Sequence, residues 1–383
     1  MKKYIILITL LYSIMGVGQV KNKYELIDKQ IMNIPVNLNN STEDIANYIK
    51  STFKNEDDKI RAVYYWTVSN ITYDIENMFA VNFNESAHDK IEKTLKSRKG
   101  VCVNYAEVFN EIANKVGIRS FVIEGFTKQN GFTDYISHAW CCAKIDGKWC
   151  VFDPTWGSGI VTGGKFVKKI NNYYFKTDPS KIITSHMPFD YMWQFLNYPI
   201  TNQEFYNGNF VVNKSKPYFD FDAEIEKYIS LSYIDQLTSS ADRIEKNGVK
   251  NAMIFDRLFY KRNEAEILRF NEIVSLYNDG INELNAFITF RNNQFKPNVS
   301  DEELKKLIDS PKTKLTKSKE LLENLSKISK TNQSNIASLA TGVNQTLNQV
   351  EEQFLFVEKY LGKSKMGRKT MFTKVSFFGV PVN

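Results

Sequence analysis

The chain has 383 residues, of which 43% are hydrophobic, 14% aromatic and 24% charged. This composition is too apolar for an intrinsically disordered protein, and the length predicts two domains with packed cores. The net charge of +7 comes from an excess of lysine, which indicates either an ordinary solvated surface or a surface that attracts acidic envelope polymers. The sequence contains no nucleic-acid-binding motif.

The N-terminus has the pattern of a secretory signal peptide. Two lysines precede an apolar run over residues 4–15, and small residues follow from Gly16. The run is too short for a typical membrane span, and no later stretch approaches that length. We therefore expect residues 1–19 to be removed by cleavage near Gly18–Val20. The mature protein is then expected in the periplasm or outside the cell.

Cys102 stands at the start of a predicted helix. Four apolar residues follow it at helical spacing: Ala106, Phe109, Ala113 and Val116. Gly117 comes next and is a typical helix end. Unpaired N–H groups and the positive end of the helix dipole point at such a position, which favours a reactive thiolate. A buried structural cysteine is the alternative interpretation of this residue alone.

A β-hairpin is predicted over the segment HAWCCAKIDGKWCVFD. Asp146-Gly147 between β-prone residues is typical of a two-residue type I′ turn, so Ile145 should pair with Lys148. The same register makes His138 and Asp153 diagonal neighbours on one face.

These three residues form a candidate catalytic triad. Separately, His138 is consistent with an ordinary sheet histidine, and Asp153 with a turn residue before proline. Together, the carboxylate can orient the imidazole, and the imidazole can activate the Cys102 thiol.

The chain resembles the transglutaminase-like superfamily, and within it the kyphoscoliosis-peptidase-like branch. The similar stretches appear in family order and are KIRAVYYWTVSNITYD, KGVCVNYAEVFNEIANKVGI, SHAWCCAKIDGKWCVFDPTW and DPSKIITSHMPFDYMWQFL. The resemblance implies an α+β, papain-like core in which N-terminal helices pack on an antiparallel sheet. It also implies that Cys102 is the nucleophile, His138 the general base and acid, and Asp153 the orienting carboxylate, with no metal or organic cofactor.

Some positions depart from the family pattern or remain candidates for the pocket. Asn104 replaces the glycine of a Cys-x-Gly-Tyr motif, and Cys141 replaces the asparagine that usually follows His-Ala-Trp. Trp66, Tyr105 and Trp140 are candidates for the oxyanion site or acyl pocket. For Trp66 the resemblance suggests an oxyanion donor, whereas the helical periodicity around it favours a buried core residue.

One further domain and a tail are predicted after the catalytic domain of residues 20–217. Residues 218–365 should form a helical bundle, because apolar stripes run over 225–244, 252–290 and 336–361. Ser300 and Glu303 form a capping box that opens a short helix, which Pro311 should end. The apolar tail, residues 366–383, should either add a strand to a sheet edge or pack on the bundle.

The four cysteines suggest neither a zinc site nor a simple disulfide. They have no Cys-x-x-Cys spacing, and the predicted hairpin sets Cys141 and Cys150 diagonally apart. Whether Cys141, Cys142 or Cys150 are bridged is left open by the sequence.

The expected function is an exported cysteine acyl-transfer enzyme that acts on protein or peptide amides. Residue types alone do not separate a peptidase, a deamidase and a transglutaminase, since these differ in what attacks the thioester. One alternative is a catalytically silent protein that uses the same fold for binding or envelope assembly. Another is a helical adaptor, in which the bundle docks an envelope partner and the first domain anchors it. The bundle is otherwise a scaffold for the catalytic domain.

Overall fold

The computed structural model describes residues 23–79, 85–129, 131–133, 136–328, 333–372, 374–375 and 381–382. The predicted signal peptide, residues 1–19, lies outside these ranges. The chain divides into two compact units, one formed by Met1–Glu224 with Asn247–Met253 and one by Ile225–Lys246 with Ile254–Asn383. The domain boundaries expected after residues 217 and 365 stay predictions, because spatial grouping does not test which segments fold independently.

Most helices of the first unit precede its main sheet in the sequence. They are α1 (Glu25–Met32), α2 (Thr42–Thr52), α3 (Glu56–Asn70), α4 (Ala87–Ser97), α5 (Cys102–Lys115), α6 (Pro154–Ser158), α7 (Pro179–Ile182) and α8 (Asn202–Asn207). Helices α2, α3 and α4 each begin after a side chain that accepts a backbone N–H bond three residues on: Ser41, Asn55 and Ser86.

The strands of the first unit are β1 (Thr72–Tyr73), β2 (Lys99–Gly100), β3 (Ser120–Gln129), β4 (Phe132–Thr133), β5 (His138–Ile145), β6 (Lys148–Phe152), β7 (Gly159–Thr162), β8 (Lys165–Lys168) and β9 (His186–Pro188). The main sheet has the antiparallel order β4-β3-β5-β6, and β9 also pairs with β3. Helix α5 contributes buried side chains such as Phe109 and Ile112 to the core that also contains one face of β5. This arrangement confirms the predicted α+β core of helices on an antiparallel sheet.

The predicted hairpin register is confirmed. Ile145 pairs with Lys148, and the register continues without a slip to Cys141 and Phe152. The turn residues have positive φ angles, 47° at Asp146 and 78° at Gly147, as a type I′ turn requires.

The second unit is helical over its described residues, apart from a short hairpin in the tail. Its helices are α9 (Phe221–Ser230), which begins in the first unit, α10 (Tyr233–Lys246), α11 (Ala252–Asn292), α12 (Asp301–Ile328), α13 (Gln333–Leu361) and α14 (Lys365–Thr370). Helices α11, α12 and α13 bury apolar side chains in shared clusters, so the predicted bundle forms around them.

Two of the helix predictions were wrong. The stripe over 225–244 is broken between α9 and α10, because the Ser232 hydroxyl accepts the N–H of Asp235 and starts a new helix. The capping box at Ser300 is present, but α12 continues through Pro311. Buried residues lie on both sides of that proline, including Ile308 and Leu315, and their packing outweighs the lost backbone bond.

The C-terminal tail forms its own short pairing. β10 (Lys374–Val375) is antiparallel to β11 (Pro381–Val382), so the described tail residues pair with each other instead of extending the main sheet. Phe372 packs on aromatic rings of the second unit, which fits the expectation that the tail packs on the bundle. Within the described residues, no helix is long and apolar enough to span a membrane.

Candidate active site

Cys102 is the first residue of α5, as predicted, and its side chain is half-buried. The parallel pair of β1 and β2 brings the chain to this point, with Tyr73 opposite Gly100. Asn104 closes the start of the helix, because its Oδ1 accepts the Val101 N–H at 3.0 Å. The Asn104 amide also donates to Thr94 Oγ1 at 3.0 Å. The asparagine side chain, which a glycine would lack, therefore connects α5 to α4.

His138 and Asp153 meet as the hairpin register requires. His138 Nε2 lies 2.8 Å from Asp153 Oδ2, and both residues are buried. Asp153 also caps α6, since its Oδ1 accepts the N–H groups of Thr155 and Trp156 at 2.9 and 3.0 Å. The two backbone donors therefore orient the carboxylate independently of its contact with the imidazole.

The charges in the site favour an ionised carboxylate beside a protonated imidazole. Burial lowers the pKa of His138, but the charge and hydrogen bond of Asp153 and the hydrogen bond with Cys102 raise this pKa from 6.5 to about 10. Burial raises the pKa of Asp153, whereas the charges and hydrogen bonds of His138 and His186 hold it well below 3.8. Asp153 is thus the main counter-charge of His138, and Cys102 makes a smaller contribution to the same pKa.

His186 is a site residue that the sequence analysis did not identify. It lies on β9, is 1% exposed, and its Nε2 is 3.0 Å from the same Asp153 Oδ2 that contacts His138. Gly125 on β3 pairs with both His138 and Pro188, so β3 holds the two histidine-bearing strands together. A Cβ at Gly125 would come within 2.1 Å of the Met187 carbonyl oxygen, which makes the glycine a sequence feature that could have indicated this close approach.

Aromatic rings surround the two imidazoles. Trp140, a predicted pocket residue, stacks on His138 at 5.9 Å and meets His186 edge-on at 5.1 Å between ring centroids. Trp156 lies 4.6 Å from His186 and 5.5 Å from His138. Tyr174 packs against Trp156, and burial followed by the Asp153 charge raises its pKa to about 12.

Trp66 and Tyr105 are buried away from solvent. The Trp66 indole N–H donates to Asn39 Oδ1 at 2.6 Å, so an oxyanion role would require that bond to break. The Tyr105 hydroxyl donates to the Ile71 carbonyl at 2.7 Å, which links α5 to the residue that follows α3. Tyr73 was not predicted as a site residue; it pairs with Gly100, two residues before Cys102, and burial and then the Cys102 charge raise its pKa to about 12.

All four cysteines are free thiols. Cys141 stands where the resemblance predicts asparagine after His-Ala-Trp. Its thiol donates to the Ala106 carbonyl of α5 at 3.3 Å, so it packs on the helix that carries Cys102. Burial raises the pKa of the Cys141, Cys142 and Cys150 thiols above the usual value. These three thiols are consequently poor nucleophiles near neutral pH.

His138, Asp153 and His186 could together offer ligands to a metal ion. Their candidate ligand atoms all lie within 4.8 Å of one another. The two imidazole nitrogens already hydrogen-bond to the carboxylate oxygen, and a metal would have to replace those protons. The expectation of a metal-free site stays a prediction.

The sequence profile of the transglutaminase-like superfamily matches residues 43–154, a range that contains Cys102, His138 and Asp153. The chain is 31% identical to the mouse (Mus musculus) protein named kyphoscoliosis peptidase over 159 residues, which are 39% of this chain and 24% of that protein. It is 22% identical to hillarin of Drosophila melanogaster over 209 residues, which are 49% of this chain and 25% of that protein. The chain thus spans about a quarter of the length of these curated relatives.

Solved structures also match part of the chain. A crystal structure described as that of a TGase shares 22% identity, with a TM-score of 0.25, over 43% of this chain and 40% of that one.

The first unit, with its cysteine at a helix start and its His–Asp hairpin, agrees with the profile match. The chain therefore contains a domain that belongs to the transglutaminase-like superfamily.

Proposed function

We propose that this chain is an exported cysteine acyl-transfer enzyme that acts on protein or peptide amides through Cys102, His138 and Asp153. One observation carries the proposal: the His138 imidazole lies 2.8 Å from the Asp153 carboxylate. Cys102, at the start of α5, is among the groups that raise the pKa of this imidazole. Triads of this kind are recognised by geometry and role, and the His138–Asp153 pair supports the proposal that Cys102 is the thiol they serve.

The reaction begins when the Cys102 sulfur attacks an amide carbonyl carbon. The oxyanion that forms is stabilised by the Cys102 backbone N–H, since the first N–H groups of a helix have no acceptor within it. Protonated His138 then gives its proton to the amine nitrogen as the C–N bond breaks, which leaves a thioester on Cys102. Water or a second amine attacks the thioester, His138 accepts the proton of the attacking group, and the thiolate leaves.

The substrate class follows from which amine leaves and what replaces it. The name of the similar mouse protein, kyphoscoliosis peptidase, makes peptide-bond hydrolysis the first activity to test. Hydrolysis of a glutamine side chain and its transfer to a primary amine are the next two. A fluorescent primary amine supplied with a glutamine-rich protein would separate transfer from hydrolysis, because only transfer makes the product fluorescent.

The first test requires no substrate. Alkylation of each cysteine by iodoacetamide is followed against pH by mass spectrometry in the wild type and in His138→Ala. We expect Cys102 to react fastest, and its rate at pH 6 to fall by roughly tenfold or more in the variant, because the ion-pair partner of the thiolate is gone. Cys141 and Cys142 are internal references, since both are buried and should stay unlabelled.

The contrary result is an unreactive Cys102, or the same pH profile in both proteins. Either would favour the alternative function, a catalytically silent protein for binding or envelope assembly. The long helices of the second unit are the feature that favours this alternative, since they offer surface for an envelope partner. Retention of a partner by the wild type and by His138→Ala alike would then support it.

Export is part of the proposal and rests on the N-terminal sequence MKKYIILITLLYSIMGVGQ. The protein is proposed to act in the periplasm or outside the cell. The N-terminus of protein recovered from the native host should begin near Val20. Recovery of the chain with Met1 intact from the cytoplasm alone would contradict export.

A further inference from the structure

Two imidazoles bind one carboxylate oxygen in this site. Asp153 Oδ2 is 2.8 Å from His138 Nε2 and 3.0 Å from His186 Nε2, while Asp153 Oδ1 accepts two backbone N–H groups. A carboxylate has about four lone-pair sites, so these donors fill its acceptor capacity. A triad needs only the contact with His138, and the second imidazole is therefore in excess of the proposed chemistry.

The surroundings of His186 define its tautomer. The ionised Asp153 carboxylate can only accept, so His186 Nε2 must carry a proton. On the other side of the ring, Ser185 Oγ lies 2.8 Å from Nδ1, and its hydroxyl can donate there. The longer contact of Ser185 Oγ with the Ile182 carbonyl, 3.3 Å, competes less well for that proton.

A second positive charge on His186 is disfavoured by its neighbours. The ring centroids of His138 and His186 are 5.7 Å apart, and the aromatic rings of Trp140, Trp156 and Tyr174 also lie near His186. Like charges at this separation in a buried site repel, and the two rings share the charge of the Asp153 carboxylate. A neutral ring with the proton on Nε2 satisfies both of its nitrogens.

Packing alone does not account for a histidine at this position. His186 is 1% exposed and lies among aromatic rings, where a phenylalanine would fill similar volume without a buried polar group. Burying an imidazole costs free energy unless both nitrogens are hydrogen-bonded, and here both are.

We propose that His186 is a positioning residue, which donates a hydrogen bond to Asp153 and thereby keeps the carboxylate oriented towards His138. Ser185, His186, Asp153 and His138 then form one hydrogen-bonded series, and His186 acts on Cys102 only through Asp153 and His138. This inference rests on the proposed function, because it assigns His186 a role through His138.

The test compares four variants with the wild type by the pH profile of Cys102 alkylation. His186→Phe keeps an aromatic ring against Trp156 but removes both hydrogen bonds. His186→Gln restores a donor near the position of Nε2. Ser185→Ala keeps the imidazole but removes the hydroxyl that bonds to its Nδ1. His88→Gln is the matched control, since His88 is exposed and pairs only with Glu92 in the described contacts.

We expect His186→Phe to lower the alkylation rate at pH 6 by about tenfold, the effect of losing one hydrogen bond to a charged group. His186→Gln should recover most of that rate, and Ser185→Ala should lie between them. A purely structural role would not be rescued by glutamine, whose shape matches the ring poorly. His88→Gln should match the wild type.

Histidine-selective ¹⁵N NMR gives an independent readout, because the chain has only three histidines. The His186 ring should show a proton on Nε2 and none on Nδ1, and the His138 resonances should shift in His186→Phe. A doubly protonated His186 ring would overturn the inference. Stoichiometric zinc binding by the wild type that is lost in His186→Phe would also overturn it, since His186 would then be a metal ligand.

The two proposals fail in different ways. If the wild-type profile equals that of His138→Ala, the proposed function fails and this inference fails with it. If those two profiles differ but His186→Phe matches the wild type, only the role of His186 is lost.

Discussion

At the scale of single residues, Asp153 connects the two parts of the site. Its Oδ1 is held by the backbone of α6 and its Oδ2 by imidazoles from two strands. Because it is fully buried and ionised, these donors must remain in place for the charge to be tolerated. The same arrangement makes the stability of the first unit depend on pH.

The first prediction concerns this pH dependence. The folded-state pKa of His138 is raised from 6.5 to about 10, so its contribution to stability is fully present below about pH 6.5 and is lost as the pH rises towards 10. The pKa of Asp153 is lowered, so its contribution is present above pH 3.8 and is lost as the pH falls below that value. His138→Gln should therefore destabilise the protein more at pH 6 than at pH 10.

Guanidinium unfolding followed by tryptophan fluorescence would measure this difference. His88→Gln serves as the control, because His88 is exposed on α4 and its loss should change stability little at either pH. An equal effect of His138→Gln at both pH values would contradict a raised His138 pKa.

At the scale of secondary-structure elements, a buried ion pair joins α1 to α3. Arg61 is completely buried, and it binds Asp28 through two hydrogen bonds of 2.6 and 2.7 Å. A third bond, from Arg61 to Asn172 Oδ1 at 2.9 Å, reaches the 3-10 helix Asn172–Tyr174. This network links α1 and α3 to the segment that carries Tyr174.

We predict that Asp28→Ala destabilises the first unit by about 3–5 kcal/mol, because it leaves the Arg61 charge buried without its carboxylate. Lys29→Ala is the matched control on the same helix, since Lys29 forms an exposed ion pair with Glu25. Chemical denaturation compares the two. Equal and small effects would mean that water or another group replaces Asp28 around Arg61.

Helices α11 and α12 approach closely where a glycine faces a leucine. A Cβ at Gly280 would lie 2.6 Å from Leu315 Cγ, and Leu315 is completely buried. An alanine in a helix is normally about 1 kcal/mol more stable than a glycine, but here the clash opposes that gain. The close contact therefore explains a glycine in the interior of a long helix.

We predict that Leu315→Ala costs about 2–5 kcal/mol, as is usual for such a change in a core. Gly280→Ala alone should not stabilise the bundle, whereas it should offset part of the loss in the double variant, because the new methyl group enters the space left by Leu315. Leu307→Ala is the control, since Leu307 is 45% exposed on the same helix. Additive effects in thermal or chemical unfolding would argue against direct contact.

At the scale of the whole molecule, each unit contains core clusters of its own. The large core with Phe109 belongs to the first unit, and the clusters around Leu315 and Val343 belong to the second. All five tryptophans lie between positions 66 and 193, so their fluorescence reports on the first unit alone. The long helices α11 to α13 contribute strongly to circular dichroism.

This division predicts two separable unfolding transitions. Leu315→Ala should move the transition seen by far-ultraviolet circular dichroism and leave the fluorescence transition in place, whereas Asp28→Ala should move the fluorescence transition. If both probes shift together in both variants, the units unfold as one cooperative body.

Local rules determined much of this protein from its sequence. The Asp146-Gly147 turn set the register that brings His138 to Asp153, and the apolar spacing after Cys102 set the start of α5. These features depend on neighbours within one hairpin or one helix, where backbone geometry and side-chain period act directly.

Only the tertiary structure decided the rest. His186 reaches Asp153 because β9 pairs with β3, a contact between segments that no local pattern connects. Likewise α12 continues through Pro311, because packing against neighbouring helices outweighs a missing backbone bond. The sequence by itself determined the position of Cys102 at a helix start and the contact of His138 with Asp153, since each is set by local geometry. Long-range pairing and burial determined the second imidazole and the course of the long helices, since their energies come from residues distant in the chain.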